Sequence, residues 1–322
     1  MIIRISRCFG YYFKHESKSL YDLKPDFPPI VTNDQFKIAQ FGGSSLSKRT
    51  GLLAIKQGMT YEWDKWGIRH ALTVLLVDHC QVVQIKTKGN DGYNALQLGV
   101  GERSLQKVTK PLIGHYIKAD VGPKKKLVES KVTDDCILPV GYEIMAKHFL
   151  PGQLVDIQGV TKGKGFQGGI KRWHFHRQPT SHGNTKSTRK IGSTGNRQWP
   201  SRTFPGKKMP GHLGNKNTTI WNLTIYKIDS ARNLIYIKGS VPGNIGGVVR
   251  ITDAFKDKKK QYRKLPFPTF VPDPNAKYPE VELMEPPKDD PMETFYLHDN
   301  AFPTINEEVE EAVAGADADE KE

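Results

Sequence analysis

Apolar positions in this chain fall into short, β-rich runs divided by turn residues, a pattern that predicts strands. The runs Ala71–Val77 and Gln81–Lys86 are separated only by Asp78, His79 and Cys80, which is hairpin spacing. A third run, Tyr93–Val100, follows Gly89-Asn90-Asp91-Gly92, a strong turn signal. Further strands are predicted at Leu127–Val132, Glu143–Met145, Gln153–Val160, Thr218–Ile228, Leu234–Val241 and Val248–Thr252, and one short helix at Lys110–Lys118. Regular structure should begin near Gly51. Many short strands at close spacing indicate a mainly β protein built on a small barrel.

Between Thr161 and Asn217 the pattern stops. Only nine of these 57 residues are Val, Ile, Leu, Met, Phe, Trp or Tyr, and neither the helical nor the strand period persists. A loop of this length inside a folded domain is uncommon unless it folds against something else. After Lys256 come Lys258-Lys259-Lys260 and then seven prolines between Pro266 and Pro287, read as extended, linker-like chain able to wrap a neighbour. The resulting division is 1–47 leader, 48–160 first part of the barrel, 161–217 extension, 218–256 barrel completion and 257–322 C-terminal extension.

Charge changes the picture of the extension. From Ile157 to Ile228 there are 14 Lys or Arg and no Asp or Glu, while the net charge of the whole chain is +14. One window therefore holds the entire excess. A surface of one sign repels itself, so a stretch like this calls for a polyanion, and nucleic acid is the obvious one. Within it, Thr161–Arg172 alternates cations (Lys162, Lys164, Lys171, Arg172) with glycines that free backbone N–H groups for close approach to phosphate. The order G-x-x-x-x-G-K-[ST] is absent, which argues against a nucleotide pocket. Trp173, Phe175, Trp199 and Phe204 interleave with Arg177, Arg189, Arg197 and Arg202. Such aromatics stack on unpaired bases or form a small satellite core, and guanidiniums fork onto phosphates. His174, His176, His182 and His212 lack the Cys and carboxylate partners of a metal site. The missing carboxylates also argue against a metal-dependent nuclease.

The remaining composition sets limits. Hydrophobic content is 37%, with 30 Gly and 21 Pro, which fits a modest core plus long irregular segments. No apolar run is long enough to span a membrane. The three cysteines, Cys8, Cys80 and Cys136, form no C-x-x-C pair and are expected as reduced thiols. Two glycosylation-type triplets, at Asn217 and Asn222, would matter only in a secreted chain. Arg4, Arg7 and Lys14 precede the first acid, Glu16, and Ile2, Ile5, Phe9 and Phe13 can share one helix face. That is the profile of a mitochondrial transit peptide. Residues 307–322 hold eight acids and one Lys. On these grounds an RNA-binding structural protein, a free RNA-processing enzyme and a chromatin-binding basic protein all remain open.

The motifs narrow this. Gly-Lys-Gly-Phe-Gln-Gly (163–168), Lys-Arg-Trp (171–173), Ser-His-Gly-Asn (181–184), Gly-Ser-Thr-Gly (192–195) and Gly-Lys-Lys-Met-Pro-Gly-His-Leu-Gly-Asn (206–215) closely resemble the universal large-subunit ribosomal protein three family, of the bacterial type. The likeness extends to Lys-Gln-Gly-Met-Thr (56–60), Asn-Asp-Gly-Tyr (90–93), Lys-Pro-Leu-Ile-Gly-His (110–115), Val-Asp-Ile-Gln-Gly (155–159) and Lys-Gly-Ser-Val-Pro-Gly (238–243), and so covers about 51–256.

The resemblance implies a translation-factor-type β-barrel, a long basic extension that threads ribosomal RNA, and a tip near the peptidyl transferase centre. It implies no catalytic residue, no metal, no cofactor and no small-molecule substrate. Its partners would be large-subunit ribosomal RNA and neighbouring large-subunit ribosomal proteins. RNA contacts are expected from Lys162, Lys164, Phe166, Lys171, Arg172, Trp173, Arg177, His182, Lys186, Arg189, Lys190, Arg202, Lys207, Lys208 and His212. The tip corresponds to Asn196, Arg197, Gln198 and Trp199. Gln198 falls where bacterial-type members carry glutamine, whereas Arg197 and Trp199 depart from their usual residues. With the basic leader and acidic end, the expected setting is the ribosome of the mitochondrial matrix.

Overall fold

The computed structural model describes residues 47–256, 265–272 and 277–286. The basic leader, Cys8, the Lys258–Lys260 run and the acidic end lie outside these residues. Thirteen strands occur among the described residues. In chain order they begin with β1 (Leu52–Trp63), β2 (Arg69–Leu76), β3 (Cys80–Lys86), β4 (Ala95–Glu102), β5 (Lys124–Lys131) and β6 (Glu143–Ile144). There follow β7 (Leu154–Val160), β8 (Gly165–Gln167), β9 (Gly211–Leu213), β10 (Asn217–Asp229), β11 (Leu234–Lys238), β12 (Val248–Asp253) and β13 (Val281–Leu283).

Six strands make an antiparallel ladder in the order β11-β2-β1-β12-β7-β10, and β10 pairs back onto β11. The ring thus returns to its first strand. Strand β10 achieves this by length: Asn217–Thr224 pair with β7, and Ile225–Asp229 with β11. Register breaks at Ile220/Leu223 and Ile225/Lys227 bend it, as bulges do. A second sheet, β5-β4-β3-β6, packs against the ring. One core joins the two, with Leu96, Leu98 and Ile144 from the sheet and Ile235, Ile237 and Ile251 from the ring. Strand β1 lies between them, which is why Leu52, Leu53, Ala54 and Ile55 are buried in succession instead of alternating. The Cys80 and Cys136 thiols are free, and burial pushes them up to about 12 and about 11, so they stay protonated and inert.

Three expectations change. The runs at 71–77 and 81–86 are strands but not a hairpin, because β2 belongs to the ring and β3 to the second sheet. The chain crosses between sheets at His79, which has φ 41°, while Asp78 receives the Gly101 N–H on its carbonyl at 2.9 Å. The stretch 161–217 contains some regular structure at its root: β8 pairs with β9, and Gly169–Trp173 is a short helix. The proline-rich stretch, where described, wraps its own fold. Strand β13 pairs with Lys227–Asp229 of β10, and Phe267 packs on the core.

A buried polar clamp fastens that segment. Arg49 holds Asp253 bidentately, at 2.6 and 3.0 Å, and donates to the Pro266 carbonyl at 2.6 Å. His148 is fully buried, with Nδ1 2.9 Å from Thr269 Oγ1 and Nε2 3.1 Å from the Thr50 carbonyl. Burial, assisted by the Arg49 charge, pushes its pKa down to about 3. The imidazole is neutral at physiological pH, donating from Nε2 and accepting from the threonine hydroxyl.

Candidate nucleic-acid interface

The basic segment leaves the ring between two paired strands. Val160 of β7 and Asn217 of β10 are register partners, so the arm starts and ends at one place. The two chains stay paired beyond the ring. Thr161 donates its N–H to the Lys216 carbonyl at 2.9 Å, Asn215 to Thr161 at 3.1 Å, and Lys164 to Leu213 at 2.8 Å. Gly214 (φ +78°) sits against the Lys162 carbonyl, where a side chain would collide. Across β8 and β9, Phe166 faces His212, and the phenyl ring is 76% exposed.

The next layer is held by one carbonyl. Met209 O accepts from Arg172 Nη1 and from Trp173 Nε1, both at 2.8 Å. The Arg172 guanidinium lies 5.0 Å from the Trp173 ring centroid, and Lys208 Nζ lies 5.8 Å from it. Beside them Gly169 is pressed between Ile191 and Phe175, close enough that a Cβ would lie 2.7 Å from Ile191 Cγ1. Phe175 therefore joins a satellite contact, and Trp173 is anchored at its nitrogen while staying 37% exposed.

Beyond this layer the chain runs through turns. The Gln178 N–H donates to the Thr188 carbonyl at 3.0 Å, closing a loop flanked by Arg177 and Arg189. Left-handed backbone recurs at His174, His182, Lys186 and Ser201. Gly195 approaches the Arg202 carbonyl and brackets a turn that displays Asn196, Arg197, Gln198 and Trp199. All four are exposed, Trp199 to 88%. Arg202 stands 5.8 Å from the Phe204 ring centroid.

Across 161–217 the sole buried residue is Gly169. Lys162, Lys164, Lys171, Arg177, His182, Lys186, Arg189, Lys190, Arg202, Lys207, Lys208 and His212 are exposed, and Arg172 is half-buried. None of the Lys and Arg residues from Lys162 to Lys216 forms an ion pair among the described residues. The fold brings together Phe166 with His212 and Arg172 with Trp173 and Lys208. It leaves Lys186, Arg189 and Lys190 as separate cations in solvent. His174, His176, His182 and His212 do not converge: no group of three His, Cys, Asp or Glu suited to a metal occurs among the described residues.

One cation at the root escaped the sequence pattern. Lys56 lies in β1, outside the carboxylate-free window, yet it is buried against the arm root and donates from Nζ to the Val241 carbonyl at 2.6 Å. Burial lowers its pKa, and the nearby Lys162 charge lowers it further. Only the three-dimensional pairing of β1 with the loop after β11 brings it there.

A family model described as ribosomal protein L3 matches residues 131–233, which include the whole arm and the strands on either side of it. A protein of Arabidopsis thaliana, "Large ribosomal subunit protein uL3m", is 48% identical over 228 residues, covering 71% of this chain and 70% of its own. Likeness at that level over 71% of the chain, together with a family match that spans the arm, leads to one conclusion: the chain belongs to the ribosomal protein L3 family.

Proposed function

We propose that the chain is a structural constituent of the mitochondrial large ribosomal subunit, that its arm binds large-subunit ribosomal RNA, and that the 196–199 turn positions RNA near the peptidyl transferase centre. The observation that carries this reading is the arm's composition and burial together: cations without carboxylates, and a single buried glycine in place of a core. Such a segment has too little apolar burial to offset its conformational entropy, so its order must come from a partner. The partner's charge must be negative and extended, as phosphodiester backbone is. Phe166 and Trp199 offer exposed rings for unpaired bases, and the scattered lysines and arginines meet phosphates. The chemistry of peptide transfer belongs to the RNA, and the protein supports assembly and placement.

The test is hydrogen exchange on the free chain and on the assembled subunit. Without RNA, residues 174–210 exchange freely while β7 and β10 are protected; in the subunit both are protected. Strong protection of 174–210 in the free protein overturns the reading. Comigration with the large subunit of a mitochondrial extract at moderate salt checks the assignment independently.

A further inference from the structure

We propose that the chain's own acidic segment, residues 307–322, docks on the base of the arm, over Trp173 and the cations around it, and covers that surface until RNA displaces it. The proposal rests on the RNA-binding reading above and adds an internal competitor for the same surface.

Charge complementarity singles out this occupant. Of the 14 Lys and Arg between Ile157 and Ile228, Lys227 alone is paired among the described residues, with Glu62 at 2.9 Å. The other thirteen, from Lys162 to Lys216, have no carboxylate partner there. Residues 307–322 hold eight acids and one Lys. A cationic surface with no counter-charge repels itself and attracts any polyanion within reach. Four of the cations gather at the arm's base. Arg172 Nη1 and the Trp173 indole both bond to the Met209 carbonyl, which sets Lys171 and Arg172 beside Lys207 and Lys208. Trp173 lies among them, 37% exposed, with Arg172 at 5.0 Å and Lys208 at 5.8 Å from its centroid. Glu307, Glu308, Glu310 and Glu311 form one short run that supplies carboxylates to this group.

The tether is long enough. The described chain ends at 286, two residues after Met284, whose N–H donates to the Tyr226 carbonyl at 2.8 Å. Tyr226 and Asn217, at the arm root, lie nine positions apart on β10, which is at most about 30 Å. Twenty residues, 287–306, then lead to the acidic segment. A flexible chain of that length spans about 25 Å on average and about 70 Å when fully extended. Tethering of this kind corresponds to an effective concentration of about 1 mM at the arm's base. Against a Kd of about 0.1 mM, at the weak end of non-specific polyanion binding, the segment weakens RNA binding about tenfold. Exposed ion pairs are individually weak, so the docking depends on their number and on low salt. They join side chains and leave the arm's amides free to exchange. Ribosomal RNA displaces the segment because it brings more negative charges to the same cations.

Fluorescence anisotropy tests this on the full chain and on a chain ending at Asn306, which keeps every described residue. The first measurement uses no RNA: a fluorescein-labelled peptide of residues 307–322 is titrated against both proteins. The peptide should bind the shortened chain with a Kd of about 0.1 mM at low salt, and the full chain about tenfold more weakly, because its own segment competes. Lys207→Gln with Lys208→Gln in the shortened chain should weaken peptide binding about fivefold. A peptide with its eight acids changed to Gln or Asn should not bind. Failure of the peptide to bind the shortened chain, equal binding to both chains, or unchanged binding to the lysine variant overturns the proposal, whatever RNA does. The second measurement titrates fluorescein-labelled oligouridine. Shortening should tighten its binding about tenfold at low salt, a gain that shrinks as salt screens the ion pairs. If the peptide binds but shortening leaves RNA affinity unchanged, the segment does not compete with RNA and the proposal falls. If shortening tightens RNA binding while the peptide binds neither chain, the cause is general repulsion and docking is again overturned. If the peptide binds as expected while oligouridine binds neither chain, docking stands and the RNA-binding reading fails.

Discussion

The indole of Trp173 donates to the backbone carbonyl of Met209 at 2.8 Å, tying together residues 36 positions apart at the base of an arm that has almost no buried surface. Because the acceptor is main chain, the two partners respond differently to mutation. Trp173→Phe keeps an aromatic ring and removes the bond, costing about 0.5–1.5 kcal/mol locally for the lost bond. Met209→Leu should be neutral. Hydrogen exchange at the Lys164 and Leu213 amides reports the difference, and the global unfolding midpoint should not move.

Arg49 and Asp253 form the ion pair of the clamp, with side chains 5% and 19% exposed. Arg49→Met leaves Asp253 with the Gln153 amide but no cation, and removes the link to Pro266. Losing one member of a buried pair costs about 3–5 kcal/mol. Urea denaturation followed by far-ultraviolet circular dichroism should show a lower midpoint of that size.

His148 gives the clamp an acid limit. Its folded pKa of about 3 is below its ordinary value of 6.5, so the unfolded chain binds a proton that the folded one refuses. Its contribution is complete above pH 6.5 and drains away as the pH falls toward 3, at up to about 1.4 kcal/mol per pH unit. Urea midpoints at pH 7 and pH 5 check the direction. In His148→Gln that part of the pH dependence should be absent.

Charge and aromatic positions on the arm should separate functionally. If the arm binds RNA as proposed, Lys207→Glu with Lys208→Glu sets acids against phosphates and should block incorporation into the large subunit. Gln198→Ala and Trp199→Ala remove exposed groups from a turn that holds nothing else in place, so these variants should incorporate and instead alter peptidyl transfer or antibiotic response. Sucrose-gradient sedimentation reads the first effect and a peptidyl-transfer assay the second. Tip variants that fail to assemble, alongside lysine variants that assemble normally, contradict this division.

Most of the later strands were legible because a single face is buried. Ile225 and Ile228, Ile235 and Ile237, and Val249 and Ile251 mark a one-sided pattern. Strand β1 was not legible: its first residues are buried on both faces, and Met59, Tyr61 and Trp63 then project outward into solvent. Strand β13 was hidden by its prolines, which speak for linker; its short pairing with β10 depends on that strand having a free side beyond Leu154. The false hairpin at 71–86 came from correct strands and a turn-sized gap, with nothing local to say that the chain changes sheets at His79. The arm was legible from charge, since a missing carboxylate needs no fold to be seen.

The meeting of Val160 and Asn217 on neighbouring strands makes the arm an excursion grafted onto a scaffold that is whole without it. Loop-closure entropy rises only about 0.6 kcal/mol for each doubling of length. The excursion can therefore lengthen, shorten or change its exposed surface at little thermodynamic expense to the body that carries it, and the body can finish folding independently of whatever the arm meets.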